Sequence, residues 1–194
     1  MIDADPPSLP PAYFEDVYGA NADPWDFETS PYEAAKYTAT LAALPRPRYG
    51  RAFEIGCSIG VLTERLGVRC DALIAVDVVE SVLARARDRC AHLPRVRFAR
   101  LRVPEAFPVG RFDLILVSEV GYYWSRDDLA RSRDRIVTAL APAGHLLLVH
   151  WTPPVHDYPL TGDKVHDAFS VVPELCHLAG RREERYRLDL FERA

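Results

Sequence analysis

The chain has 194 residues, 48% of them hydrophobic, and a formal net charge of −4. That is enough for one domain with a core that needs no disulfide, and the acidic balance argues against nucleic acid as a partner. No apolar run approaches the roughly 20 residues of a membrane span, and the opening MIDADPPSLPPA lacks the basic and apolar regions of a signal peptide. The four cysteines, Cys57, Cys70, Cys90 and Cys176, show neither C-x-x-C pairing nor zinc-like spacing, so reduced thiols in a cytoplasmic protein are expected.

Residues 1–12 are proline-rich and expected to be loose. A loop containing Asn21-Ala22-Asp23-Pro24-Trp25 follows. The first clear helix starts with Ser30 as N-cap, Pro31 at the first position and Glu33 closing a capping box, and runs to about Leu44. From Arg51 strands and helices alternate. RAFEI (51–55) is a strand, followed by a glycine turn and a helix to about Leu66. ALIAVD (72–77) precedes a helix over 80–91. VRFARL (96–101) and FDLILVSEV (112–120) are strands, the second a buried run. Ser125 and Asp128 cap a helix reaching about Leu140. HLLLVHW (145–151) is the fifth strand. A proline-rich loop, a helix after Asp163 and two strands near CHLAGRREE and YRLDLFER complete the chain. This order predicts an α/β fold in a single domain. A doubly wound, mostly parallel sheet would end in an antiparallel hairpin, with residues 13–47 as an N-terminal helical cover and 50–194 as the Rossmann-like core.

The turn in FEIGCSIG (53–60) admits three readings. Gly56-Cys57-Ser58-Ile59-Gly60 fits the G-x-S-x-G nucleophile elbow, with Asp113 and His150 as partners. However, the turn follows the first strand, and no earlier strand or HGGG loop is available for an oxyanion hole. A dinucleotide fingerprint would use Asp77, about 20 residues on, but the third glycine of G-x-G-x-x-G is absent. An S-adenosylmethionine turn accounts for one more residue, Glu54. A carboxylate beside the turn suits an ammonium group and would repel a pyrophosphate. Gly56 and Gly60 would admit the ligand closely, and Asp77 would accept hydrogen bonds from a ribose. The third reading is preferred.

FEIGCSIGVLTERL, FDLILVSEVGYYW, HLLLVHW and DYPLTGDKVHDAF, with the upstream DPWDFETSPYEAAKYTATLAALP, together resemble the nodulation protein S family of S-adenosylmethionine-dependent methyltransferases. The likeness covers roughly residues 13–192. It implies a seven-stranded class I methyltransferase fold and S-adenosylmethionine as cofactor. It further implies N-methylation of a free amine on an amino sugar or chitooligosaccharide, with O-methylation of another small metabolite as the alternative. By position, Glu54, Gly56 and Gly60 would line the methionine part and Asp77 the ribose, with Ser58 and Ser118 beside them. Where this class often has an acid for the adenine amino group stands Arg102, which cannot accept that bond. Adenine would then rest on backbone around Leu101–Val103.

Methyl transfer needs the nucleophile held in line with the methyl group and, for an amine, a place for its proton. Glu119, at the tip of the fourth strand, and His150, at the tip of the fifth, are the catalytic candidates. Strand alternation puts His150 and Trp151 on opposite faces, one toward the crevice and one into packing. His145 and His150 differ by an odd number, so no shared metal site is expected. In the cover, Trp25 and Tyr32 would offer aromatic faces to the sulfonium, and Lys36 would reach the cofactor carboxylate or pair with Glu33. Tyr122, Tyr123, Trp151 and His166 are expected on the substrate side.

Overall fold

The structure is a computed structural model that describes residues 5–194. Seven strands form one sheet in the order β3-β2-β1-β4-β5-β7-β6. They are β1 Ala52–Ile55, β2 Leu73–Asp77, β3 Val96–Arg100, β4 Phe112–Ser118, β5 Leu140–Trp151, β6 Leu175–Arg182 and β7 Tyr186–Arg193. β1 to β5 pair parallel; β7 runs antiparallel to both β5 and β6. The helices are α1 Pro11–Ala20, α2 Pro31–Ala42, α3 Val61–Gly67, α4 Glu80–Arg89, α5 Arg126–Ala139 and α6 Gly162–Ser170. The expected doubly wound sheet and C-terminal hairpin are both present. Among the described residues no helix is long and apolar enough to cross a membrane.

Side-chain alternation along each strand builds two cores. Phe53, Ile55, Ile115, Val117, Leu146 and Leu148 face Ile136 of α5 and Phe169 of α6. Ala52, Leu114, Leu116, Leu147 and Val149 face Tyr37 of α2, Leu66 of α3 and Val82 of α4. Both faces being covered explains the continuous apolar run of β4. The chain winds outward from β1 to β3, then returns to place β4 on the other side of β1. That reversal opens a crevice at the carboxyl ends of β1 and β4, the usual ligand position in such sheets.

The N-terminal segment departs from expectation. Residues 5–12 are held down, and residues 1–4 of the loose stretch lie outside the described residues. Leu9 N–H donates to Tyr123 O at 2.9 Å, Ser125 N–H donates to Ser8 Oγ at 2.7 Å, and Ser8 also bonds Asp128. α1 was not expected at all. It buries no residue fully, and its contacts are with distant loops. Glu33 also departs from expectation. Ser30 Oγ caps Glu33 N–H at 3.4 Å, but Ser30's own amide donates to Asp26 O at 2.9 Å. The capping box therefore has no donor left for Glu33, whose carboxylate turns inward.

Candidate functional site

A cavity of about 500 Å3 lies over the carboxyl ends of β1, β2, β4 and β5, roofed by α1, α2 and the loop between them. This falls within the roughly 300–1,000 Å3 of small-molecule sites. Of the residues expected to bind ligand, Trp25, Tyr32, Lys36, Gly56, Ser58, Asp77, Arg102, Val103, Ser118, Glu119, Tyr122, Tyr123 and Trp151 line it. Three non-glycine residues in its wall have left-handed backbone: Asp26 (φ 54°), Ser58 (φ 48°) and Glu119 (φ 56°). Each costs on the order of 1–3 kcal/mol, a strain that clusters at functional sites.

The glycine turn is built differently from the expectation that both glycines admit ligand. A Cβ on Gly56 (φ +82°) would lie 1.9 Å from Val120 Cγ2, so its bareness admits the loop after β4. Gly60 (φ +80°) does not line the cavity. It caps α3, where a Cβ would lie 2.9 Å from Ala86 Cβ on α4. Ser58 carries the turn to its neighbours: its N–H donates to Asp77 Oδ2 at 2.9 Å, and its hydroxyl meets Tyr18 OH of α1 at 2.5 Å. Asp77 Oδ1 accepts from Val79 N–H at 3.1 Å. Burial pushes the Asp77 carboxyl up while these backbone donors oppose it.

Glu54 shares the sheet face of Ala52, toward α2 and α3, so it reaches a side recess instead of the main cavity. The recess, of about 30 Å3, has room for one ammonium-sized group. It is lined by Tyr37 and Leu62 and shares Gly56, Ser58, Ser118 and Glu119 with the cavity. Glu54 is 1% exposed, and its Oε2 has no hydrogen-bond partner among the described residues. Burial pushes its carboxyl up to about 7, opposed by the nearby Thr63 hydroxyl and reinforced slightly by the Asp77 charge.

Over β4 and β5 the cavity holds a buried charge cluster. Lys36 Nζ donates to Glu33 Oε1 at 2.9 Å and to Glu119 Oε1 at 2.7 Å. Glu119 Oε2 accepts from Tyr122 OH at 2.6 Å and from Trp151 N–H at 2.8 Å. Burial pushes the Glu33 carboxyl up, opposed by the Lys36 charge. Glu33 Oε2 and Tyr32 OH have no partner among the described residues. Tyr32 packs edge-on to Trp151 (6.1 Å between ring centroids) and Tyr186 (6.4 Å), which puts it on the β5 side of the cavity. Arg102 points along the rim to Glu105 at 3.5 Å and leaves the wall at Leu101–Val103 to backbone and apolar groups.

His150 and His166 are not in the cavity. His150 shares the face of Leu146 and Leu148, is fully buried, and accepts from Gly121 N–H through Nε2 at 3.1 Å. Its Nδ1 meets His166 Nε2 at 3.1 Å. With both nitrogens engaged and burial holding it well below its ordinary pKa, His150 is not available as a proton acceptor. Alternation was correct that one of His150 and Trp151 faces the crevice; it is Trp151. The hydrolase triad does not assemble, because Asp113 is at the start of β4 accepting from Gly50 and Arg51 N–H. Sequence reading missed Tyr18, Phe27, Glu33, Tyr158 and Arg185, which also line the cavity. The SPYEAAKY helix carried a signal for Glu33, three residues from Lys36. Tyr18 had none, because α1 itself was not foreseen.

Four matches to known proteins bear on the family and the fold. The family model for nodulation protein S (NodS) matches residues 17–151, leaving the DYPLTGDKVHDAF tail outside the match. Nodulation protein S of Sinorhizobium fredii is 33% identical over 132 residues, covering 66% of this chain and 60% of that relative, so the chain spans less than two thirds of its length. A Pseudomonas syringae crystal structure, described provisionally as a methyltransferase, is 40% identical over 84% of this chain and 99% of its own, with a TM-score of 0.73. The N-methyltransferase NodS of Bradyrhizobium japonicum, solved with S-adenosylhomocysteine, is 24% identical with a TM-score of 0.84, covering 94% of this chain and 98% of that one. With the sheet order and the turn at Gly56, these matches place the chain in the nodulation protein S family, on the class I methyltransferase fold.

Proposed function

We propose that the chain is an S-adenosylmethionine-dependent methyltransferase acting on the free amine of a small molecule of amino-sugar or oligosaccharide type. Family membership and the N-methyltransferase solved with S-adenosylhomocysteine support the class of reaction. The observation that carries the choice of an amine is the unpartnered Glu33 Oε2 on the β5 side of the cavity. A buried carboxylate oxygen left without a donor costs at least about 1–3 kcal/mol. An amine seated against Glu33 would supply the missing N–H and still present its lone pair. Tyr123, Trp151 and Tyr158, each half-buried in the cavity wall, give aromatic surfaces suited to a sugar ring.

The cofactor fits the residues present. Asp77 would accept from the ribose, Leu101–Val103 would flank the adenine, and the unpartnered Glu54 Oε2 would receive the ammonium. When bound, the cofactor supplies a methyl group already activated on a sulfonium. The protein's work is then to hold the acceptor in line and to manage one proton. Glu119, already bonded by Lys36, Tyr122 and Trp151 N–H, orients the acceptor. Glu33 Oε2 takes its proton.

Labelled methyl transfer to a panel of free-amine chitooligosaccharides, their N-acetylated forms and small carboxylates tests this reading. Transfer to the free amines alone is expected; transfer to carboxylates alone would contradict it. Glu33→Gln, which removes the proton acceptor, is expected to lower kcat about 100-fold or more and to raise the amine KM about tenfold, roughly one lost charged hydrogen bond, with S-adenosylhomocysteine affinity unchanged within twofold.

Glu54 adds a pH dependence. Only its ionised form attracts an ammonium, and its carboxyl sits at about 7 without ligand. S-adenosylhomocysteine affinity should therefore level off above pH 7 and fall about tenfold per unit as pH drops toward 5. Calorimetry at several pH values checks this, and Glu54→Gln should flatten the profile. A flat wild-type profile would remove Glu54 from the cofactor site.

A further inference from the structure

Behind the cavity wall runs a chain of buried hydrogen bonds that the reaction as described does not use. Gly121 N–H donates to His150 Nε2 at 3.1 Å, His150 Nδ1 meets His166 Nε2 at 3.1 Å, and His166 Nδ1 meets Asp189 Oδ2 at 2.6 Å. His150 and His166 are 0% exposed and Asp189 3%. Asp189 is anchored in turn by Arg187 Nε (2.7 Å) and His177 Nε2 (2.7 Å).

The chain leaves one arrangement of protons. A backbone amide only donates, so His150 Nε2 accepts. A neutral imidazole carries one N–H, so that proton is on His150 Nδ1 and is donated to His166 Nε2. His166 then carries its proton on Nδ1 and gives it to the Asp189 carboxylate. Burial lowers both imidazoles, which keeps them neutral as this order requires. Gly121 is fitted to the clamp: a Cβ there would lie 2.5 Å from Val165 Cγ1 and 3.0 Å from His150 Nε2.

Gly121 opens the 3-10 turn Gly121–Tyr123, two residues after the strained Glu119. Within that turn Tyr122 bonds Glu119 Oε2. We propose that Asp189, His166 and His150 are positioning residues: by fixing the His150 tautomer they clamp the Gly121 amide, and through Tyr122 they hold the Glu119 carboxylate toward the acceptor. This rests on the reading of Glu119 as facing the acceptor. Its test needs no acceptor, so a failed methyl-transfer panel and a failed clamp are separate results.

The test compares wild type, His166→Leu and His166→Gln, all loaded with S-adenosylhomocysteine. Imidazole nitrogen shifts read the His150 tautomer, amide hydrogen exchange reads Gly121 against Val117 of β4, and a labelled carboxyl carbon reads Glu119. Wild type should show His150 protonated on Nδ1 and a protected Gly121. His166→Leu leaves that N–H without an acceptor, so Gly121 should exchange at least tenfold faster than in wild type while Val117 holds, and the Glu119 carbon should move. His166→Gln, whose amide oxygen accepts from His150, should restore all three. The clamp is overturned if His150 is protonated on Nε2 in wild type, or if Gly121 and Glu119 are unmoved in His166→Leu. It is also overturned if Gly121 and Val117 loosen together in both variants, which would mean packing alone.

Discussion

Gly56→Ala is expected to lower stability by about 2–5 kcal/mol and to abolish S-adenosylhomocysteine binding. The added Cβ would lie 1.9 Å from Val120 Cγ2, 3.3 Å from Val120 Cβ and 3.5 Å from Ser118 O, at φ +82°. Overpacking of this kind costs about 1–3 kcal/mol, and the left-handed backbone adds about 1–2 kcal/mol for any residue with a Cβ. Relief by backbone movement would pull the β1 turn away from the β4 tip, and that is where Ser58 and Glu119 are held. Urea unfolding and calorimetry measure the two effects. Adding Val120→Ala removes the atom at 1.9 Å but leaves φ unchanged, so the double variant should recover the packing share only. A Gly56→Ala protein as stable as wild type would show that the turn yields freely.

Asp77→Ala is expected to weaken S-adenosylhomocysteine binding about 100-fold or more with the sheet intact. Asp77 holds the turn through Ser58 N–H and α4 through Val79 N–H, and it lines the cavity at the tip of β2. Hydrogen bonds to a charged group are worth roughly 1.5–3 kcal/mol each, and 1.4 kcal/mol is tenfold in affinity. Two ribose bonds therefore account for the predicted loss. Asp77→Asn retains one acceptor oxygen and should lose nearer tenfold. Binding within threefold of wild type in Asp77→Ala would remove the ribose from this position.

The parts of the site legible in the sequence are those set by local periodicity. The acid near the end of RAFEI was found beside the turn, alternation along HLLLVHW left one of His150 and Trp151 for the crevice, and the acid at the end of ALIAVD was found where the topology puts it. What escaped depends on partners far along the chain. Gly56 is bare because of Val120, which lies 1.9 Å from its would-be Cβ but in another strand's loop. Glu33 read as a capping residue until the Asp26 carbonyl took the Ser30 amide. α1 buries nothing completely and gave no amphipathic signal; its Tyr18 lines the cavity and meets Ser58, a contact 40 residues along the chain. His150 looked catalytic because a histidine ends a parallel strand. Which face that strand tip presents is decided by α2 covering one side and α6 the other.

The central claim is that the cavity over β1 and β4, gripped by Asp77 and the Gly56–Ser58 turn, takes an adenosyl amino acid. Titration calorimetry with S-adenosylhomocysteine at pH 7.5, with NAD as the comparison, tests it most directly. One site per chain is predicted, with no heat from NAD and a stability gain of about 2.7 kcal/mol at a ligand concentration 100 times Kd. Heat from NAD with none from S-adenosylhomocysteine, or no heat from either, would contradict the account.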